Sequence, residues 1–346
     1  MAVLSSRPPD RARRRLLAGW AAAPLGLFAG RAGATAPTGR FDRLYGANPV
    51  VSYLLSALYP ERLVGWNFPP PAQARGFIRE TALSRPVVGG FFGQGRMPNE
   101  EALLAEHPDL AVVSGATSAS LNRSIEAMES LGLPTLTLNL DRVDDYPAAI
   151  RRLGAHLGES ARSSRAADAA EHLLDRIRAL PDHGGPTIFY AEQHDGLATE
   201  CRGSLHSEAI RQVHAVNPHT CGPEEAGSRF GMVRLHAETL LDHDPDWILT
   251  QSADLYRRFH QAPAFSMLSA VRGGRVLLAP QAPFRWLDRP PSFMRLPGAL
   301  WLYDRLHPGH GRFDLDAELR RFFGAFFRVE LTAEQLAGMR YPEEAI

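Results

Sequence analysis

One phrase occurs twice in this chain with the same internal spacing: Glu101-Ala-Leu-Leu-Ala-Glu-His-Pro108-Asp109-Leu-Ala-Val-Val113 and Glu238-Thr-Leu-Leu-Asp-His-Asp-Pro245-Asp246-Trp-Ile-Leu-Thr250. Each copy reads as an amphipathic helix, a Pro-Asp stop and a buried strand. The apolar pairs Leu103/Leu104 and Leu240/Leu241 suit one helix face, Pro108 and Pro245 cannot continue a helix, and the aliphatic runs 110–113 and 247–249 suit strands covered on both sides. The repeat predicts two related α/β lobes, and a cleft between lobes is where small molecules bind. It also sets Glu101 and Glu238 at equivalent exposed points.

The first residues form a separate unit. A basic stretch ends in Arg13-Arg14-Arg15-Leu16-Leu17, an apolar run follows to Gly30, and small-residue sites close it at Ala32-Gly-Ala34 and Ala34-Thr-Ala36. That order predicts an export signal over 1–36, too short and too interrupted by Pro24 and glycines for a membrane span. The adjacent arginines before Leu16-Leu17 fit the twin-arginine type, with a Sec signal as the alternative. No Cys lies near the cleavage region to carry a lipid anchor.

Composition narrows the function. Formal net charge is zero, with 38 cations against 38 acids, and the cations are scattered, which is no footprint for nucleic acid. All the cations are Arg; without any Lys, Schiff-base chemistry is excluded. The two cysteines, Cys201 and Cys221, form a candidate disulfide in an exported protein. Such a loop contributes about 3 kcal/mol in the chain-entropy picture. A metal site is the alternative, because His206, His214 and His219 lie between them, although the spacings match no tight tetrahedral set.

Along the chain, short aliphatic strands near 62–66, 86–89, 110–114 and 134–138 alternate with helices near 49–58, 99–106 and 118–131. This predicts an N-terminal α/β lobe over 37–142 with a mainly parallel sheet. Residues 143–182 carry no strand signal. Instead 146–157 and 160–180 read as consecutive helices, the second with Ala166, Ala170, Leu173, Leu174, Ile177 and Leu180 at helical spacing. A long helix there would be a stiff spine between lobes. The C-terminal lobe, 183–346, starts with a strand at 186–190, continues through a helix at 204–214 and the repeated phrase, and has a further strand at 275–279. Helices near 254–260, 264–271, 293–306, 314–327 and 332–338 complete it.

Three phrases in this order, Leu58-Tyr-Pro-Glu-Arg-Leu-Val-Gly65, Pro98-Asn-Glu-Glu101-Ala-Leu-Leu with Pro108-Asp109-Leu110, and Gly274-Arg-Val-Leu-Leu-Ala-Pro280, flank a helical spine behind an export signal. Over residues 41–310 the chain resembles the periplasmic substrate-binding proteins of ABC importers for iron–siderophores and vitamin B12. Asp195-Gly-Leu-Ala-Thr-Glu-Cys201, His206-Ser-Glu208 and Phe284-Arg-Trp-Leu-Asp-Arg-Pro-Pro-Ser292 look like a metal-chelate subgroup. One departure is the first strand, near Phe41-Asp-Arg-Leu-Tyr45, which is less apolar than is usual.

The resemblance implies a periplasmic, non-catalytic monomer without a cofactor, which captures a metal chelate, foremost an iron–siderophore, and delivers it to a dimeric inner-membrane permease. A nickel or cobalt chelate or cobalamin is the alternative cargo. It gives Glu101 and Glu238 the role of docking against permease arginines, with Glu100 a close competitor. Loops at the carboxyl ends of parallel strands hold the ligand in such folds. The expected cleft residues are therefore Phe91, Phe92, Gln94 and Thr117 in the first lobe, and Glu192, Tyr256, Arg257, Phe284, Trp286 and Arg289 in the second. Aromatics supply rigid apolar contact and Arg pairs with carboxylates or catecholates. No His precedes His107, and binding proteins for bare zinc or manganese normally draw histidines from both lobes, so a preformed chelate is the better fit; His206 is the candidate to complete its coordination. An exported hydrolase or oxidoreductase is the competing class, against which the sequence has no Gly-x-Ser-x-Gly, His-Glu-x-x-His or Gly-x-Gly-x-x-Gly motif.

Overall fold

Both copies of the repeated phrase fold alike in the computed structural model, which describes residues 40–91, 98–115, 119–222 and 232–345. The first lobe contains β1 (Leu44–Gly46), α1 (Pro49–Leu58), a short helix α2 (Glu80–Leu83), α3 (Glu100–Ala105), β2 (Leu110–Ser114), α4 (Ala119–Ser130) and β3 (Thr135–Leu138). Its strands lie in the order β1-β2-β3, all parallel. The second lobe repeats the arrangement with β4 (Ile188–Ala191), β7 (Trp247–Thr250) and β8 (Val276–Leu278), also parallel. An antiparallel pair, β5 (Ala198–Glu200) with β6 (Met232–Arg234), stands beside that sheet.

The Pro-Asp pairs explain why the phrase recurs. After each helix the residue before proline adopts a left-handed backbone, His107 at φ 45° and Asp244 at φ 31°, and the chain turns into the central strand. The following aspartate then pins the entry of the neighbouring strand. Asp109 accepts from the backbone N–H of Asp42 (2.8 Å) and Arg43 (3.1 Å) just before β1. Asp246 accepts from the N–H and hydroxyl of Thr187, both at 2.8 Å, just before β4. Register follows directly: Leu44 pairs with Leu110 and Ile188 with Trp247.

Between the sheets run α5 (Tyr146–His156) and α6 (Ser160–Arg178). Their close approach needs Gly154, since a Cβ there would lie 2.2 Å from the Ser163 hydroxyl. That hydroxyl bonds Tyr59 at the end of α1 (2.5 Å). The alanine-rich face of α6 belongs to one continuous apolar core. That core contains Leu44, Val112 and Leu136 of the first sheet, Ala166, Ala170 and Leu174 of the spine, and Tyr190, Leu249 and Leu277 of the second. The helices Arg295–Leu306 and Leu315–Phe326 pack onto it. A buried ion pair adds a polar clasp. Arg295 bonds Glu208 and donates to the carbonyls of Leu140 (3.3 Å) and Asp141 (3.0 Å), while Glu208 accepts from the N–H of Val143 (3.2 Å). Burial raises the Glu208 pKa, and the Arg295 charge opposes that.

Four expected elements come out shorter; one of them, the helix expected near 264–271, is a 3-10 turn at Pro263–Phe265 and a single helical turn at Ser269–Arg272. The strands predicted near 62–66 and 86–89 are isolated parallel bridges, Leu44 with Leu63 and Trp66 with Val87. Gly65 sits too close to Val88 to carry a side chain, Pro86 has no N–H to donate, and Gly89 turns at φ 81°. The helix expected over 204–214 is a tight turn, Leu205–Ser207, followed by α7 (Glu208–Gln212). Cys201 and Cys221 are joined in a disulfide, so neither thiol is available to a metal. No described helix is long and apolar enough to cross a membrane. The segment read as an export signal lies outside the described residues.

Candidate functional site

A cavity of about 900 Å³ opens between the carboxyl ends of the two parallel sheets. Its first-lobe wall is built from the β1–α1 and β2–α4 junctions. Asn48 caps α1 by accepting from the N–H of Val51 (3.2 Å), and Pro49 supplies the preset first turn. The amide of Asn48 also donates to the Ser114 hydroxyl (3.0 Å), joining the ends of β1 and β2. Asn48, Pro49 and Val50 line the cavity, so α1 presents the positive end of its dipole there. Tyr53 follows on the same helix, and Phe68, Pro69, Pro71 and Phe91 form an apolar rim.

The second-lobe wall is the loop after β8, in which one exposed residue stands between two buried aromatics. Phe284 and Trp286 are buried, whereas Arg285 between them is exposed and lines the cavity. Phe284 stacks flat on Tyr53, with ring centroids 3.8 Å apart, and so supports the cavity wall from behind. Trp286 donates its indole N–H to the carbonyl of Ala282 (2.8 Å) and packs on Phe323. Arg289 has a left-handed backbone at φ 52° and turns its guanidinium inward to Glu192 (2.5 Å) and Glu200. A smaller chamber of about 430 Å³, lined in part by Glu192, Gln193 and Ser252, shares Arg285 and Arg289 with the main cavity.

Charge is distributed unevenly on this wall. Burial, then the nearby charge of Glu192, raises the Glu200 carboxyl pKa, and the Arg289 guanidinium paired with it opposes that. Burial alone would lower the Arg289 pKa, but Glu192, Asp288 and Glu200 together raise it, and the guanidinium stays charged. Arg285 has no acidic partner among the described residues. His206 lines the cavity, and its Nδ1 lies 2.5 Å from the buried carboxylate of Asp288. A carboxylate there fixes the Nδ1–H tautomer and leaves Nε2 with a lone pair.

Glu200, His206 and Asp288 each place a ligand atom within 4.8 Å of the others. Two of the three are already engaged, Glu200 by Arg289 and the Ser204 hydroxyl (2.9 Å) and Asp288 by His206 itself. Among the described residues, the donors left without a hydrogen bond are His206 Nε2 at the cavity wall and Asp288 Oδ2, which is buried 3.6 Å from Arg289 Nε. One imidazole suits a metal that brings its other ligands with it better than a bare ion.

The structure brings Phe91 and Arg289 to the main cavity and Glu192 to the smaller chamber. Phe284 and Trp286 are core residues behind the wall instead. Tyr256 and Arg257 line neither chamber: Tyr256 packs on His260 and feels the charges of Glu343 and Arg305, and Arg257 pairs with Asp254. Phe92, Gln94 and Thr117 lie outside the described residues. Glu101 and Glu238 are exposed first-turn residues of their helices, away from both chambers, as is Glu100. Sequence reasoning missed Arg285, Asp288 and Asn48. The alternation Phe284-Arg285-Trp286 was a signal for the first, because period two puts Arg285 opposite two aromatics. Asn48-Pro49 was a helix-start signal for the last.

Residues 91–283 match the periplasmic binding protein family. No curated protein matches the chain. Among solved structures, the chain is similar to an ABC transporter solute binding protein from Sulfurospirillum deleyianum, at 29% identity and a TM-score of 0.79 over 87% of this chain and 94% of that one. The molybdate periplasmic binding protein MolA of Haemophilus influenzae aligns at 17% identity and a TM-score of 0.66, covering 86% and 96%. The vitamin B12 binding protein BtuF of Vibrio cholerae aligns at 18% identity and 0.57, covering 77% and 97%. At those lower identities the likeness is one of fold. With more than half of its length inside the family match and its paired parallel sheets folded as in these structures, the chain belongs to the periplasmic binding proteins, the substrate-binding and non-catalytic partners of ABC permeases.

Proposed function

We propose that this protein captures a metal chelate, an iron–siderophore foremost, in the cleft between its lobes and hands it to an ABC permease. The observation that carries the reading is His206, held through Nδ1 by buried Asp288 with Nε2 free at the cavity wall. An imidazole so oriented completes the coordination of an iron, nickel or cobalt centre whose chelator leaves a site open. Arg285, without an acidic partner among the described residues, pairs with carboxylate or catecholate groups of the chelator, and the aromatic and proline rim covers its apolar parts. Cavity size supports the reading: about 900 Å³ suits a multidentate organic ligand and far exceeds a tetrahedral oxyanion such as molybdate.

The lobes at 37–142 and 183–346 act as jaws, with the helices of 143–182 as their stiff connection. Glu101 and Glu238 dock on the permease from the outer faces. Residues 1–36 act as a twin-arginine export signal, the mature protein works in the periplasm as a monomer, and nucleic acid is no partner.

Binding of a ferric chelate with an unsaturated coordination sphere, followed by tryptophan fluorescence, should weaken at least about tenfold in His206→Ala. The charge-transfer band of the bound chelate should shift in that variant. A hexadentate chelate that saturates its iron should be indifferent to the change. Equal loss for both chelates would remove His206 from the metal and make it a packing residue. The export reading has its own test: Arg13→Lys with Arg14→Lys should hold the precursor in the cytoplasm, and normal export of that variant would defeat the twin-arginine assignment.

A further inference from the structure

Away from the cleft, three histidines meet on the surface where the end of the spine approaches the helix Arg295–Leu306. The phrase His307-Pro308-Gly309-His310 is a β-turn. Proline occupies its second position, Gly309 its third at φ 77°, and the N–H of His310 donates to the carbonyl of His307 (3.0 Å). In such a turn the first and fourth residues lie within about 7 Å, so both imidazoles leave from one small patch.

His183 faces them from the segment after α6. Its ring centre is 5.2 Å from that of His307 and 5.2 Å from that of His310. The segment is tied in place: the Tyr303 hydroxyl donates to the carbonyl of Pro181 (3.0 Å), and His214 Nε2 bonds the carbonyl of Leu180 (3.2 Å). The anchoring groups thus belong to the helix that carries His307 and to the lobe beneath. None of the ring nitrogens of His183, His307 and His310 is engaged in a hydrogen bond among the described residues.

The spacing has chemical meaning. A nitrogen at about 2.0–2.1 Å from zinc puts its ring centre about 3.2 Å from the ion, and two such rings at the tetrahedral angle are about 5.2 Å apart. We infer that His183, His307 and His310 form a surface site for a divalent transition ion of the zinc, nickel or copper kind, with one position left to water. As placed, the ring nitrogens of the three do not all lie within 4.8 Å of one another; His183 and His310 are exposed, so their rings can rotate to converge their nitrogens without repacking any core. None of the three lines either cleft chamber, so this site is independent of the cargo reading.

The test uses the mature, untagged protein and zinc ion alone in equilibrium dialysis, with cobalt(II) as a spectroscopic stand-in. One zinc per chain is expected, lost or weakened at least about tenfold in His183→Ala and in His310→Ala. His206→Ala in the cleft should retain it. Cobalt should give the visible bands of a four-coordinate nitrogen site in the wild type and in His206→Ala, but not in His183→Ala. Absence of stoichiometric zinc, wild-type affinity in both surface variants, or loss of the site in His206→Ala would each overturn the inference. Circular dichroism of the variants separates lost ligation from lost fold, and a second replacement, His310→Gln, must reproduce the weakening.

Discussion

The first-lobe wall of the cleft is helix-capped and carries one lining acid, Asp141, whereas the second-lobe wall concentrates charge of both signs. Asn48, Ser114 and the amino end of α1 offer dipoles on one side. Arg285, Arg289, His206, Asp288, Glu192 and Glu200 occupy the other. Yet the scaffolds beneath are copies, down to the left-handed residue before each proline and the aspartate that pins the next strand. The repeated part fixes where a cleft must be, and the unrepeated loops decide what enters it. A half-buried cation, Arg289, held among Glu192, Glu200 and Asp288 ties the second wall together beside Arg285 and His206.

That contrast can be broken at several points. The largest effect is expected outside the cleft: Glu101→Ala with Glu238→Ala should abolish uptake in a strain lacking the native protein while leaving ligand affinity nearly unchanged, because several rim charges together orient docking. Wild-type transport by that double variant would reduce the repeat to architecture alone. Next, Arg289→Ala should lower stability by about 3–5 kcal/mol in denaturant titration, since it leaves Glu192 and Asp288 buried without their cation. A loss below about 1 kcal/mol would mean that the wall does not depend on that cation. The smallest effects sharpen the symmetry itself. Asp109→Ala and Asp246→Ala should each cost about 1–2 kcal/mol and by similar amounts, each removing charged acceptors from a strand entry. A large difference between them would show that only one copy pins its sheet.

The fold was legible because the repeat encodes both local structure and its tertiary anchor. Period and proline placement marked the helices and central strands, and the alanine-rich stretch marked the spine. The outer strands near 62–66 and 86–89 were over-read, because aliphatic content signals burial and does not guarantee a ladder when Gly65 and Pro86 interrupt it. The cleft was less legible. Its most specific pair, His206 with Asp288, joins residues 82 positions apart through a loop whose path only packing determines. Aromatics drew attention in that loop, but Phe284 and Trp286 went to the core and the smaller signal, Arg285, went to the ligand side. Tyr256 and Arg257 were misplaced for a related reason: an amphipathic helix shows that one face is buried but not which neighbour covers it.

The apolar core that runs unbroken from one sheet through α6 to the other has a thermodynamic consequence. Neither lobe can melt and leave its partner with a closed interior, so the molecule should unfold in a single cooperative transition. A ligand that touches only the cleft then stabilises every residue behind it by the same amount, about 2.7 kcal/mol at a hundredfold excess over its dissociation constant. Because that shift is felt globally, melting curves recorded against a panel of chelates would rank cargo by affinity, with no label on the ligand and no knowledge of which residue it meets first.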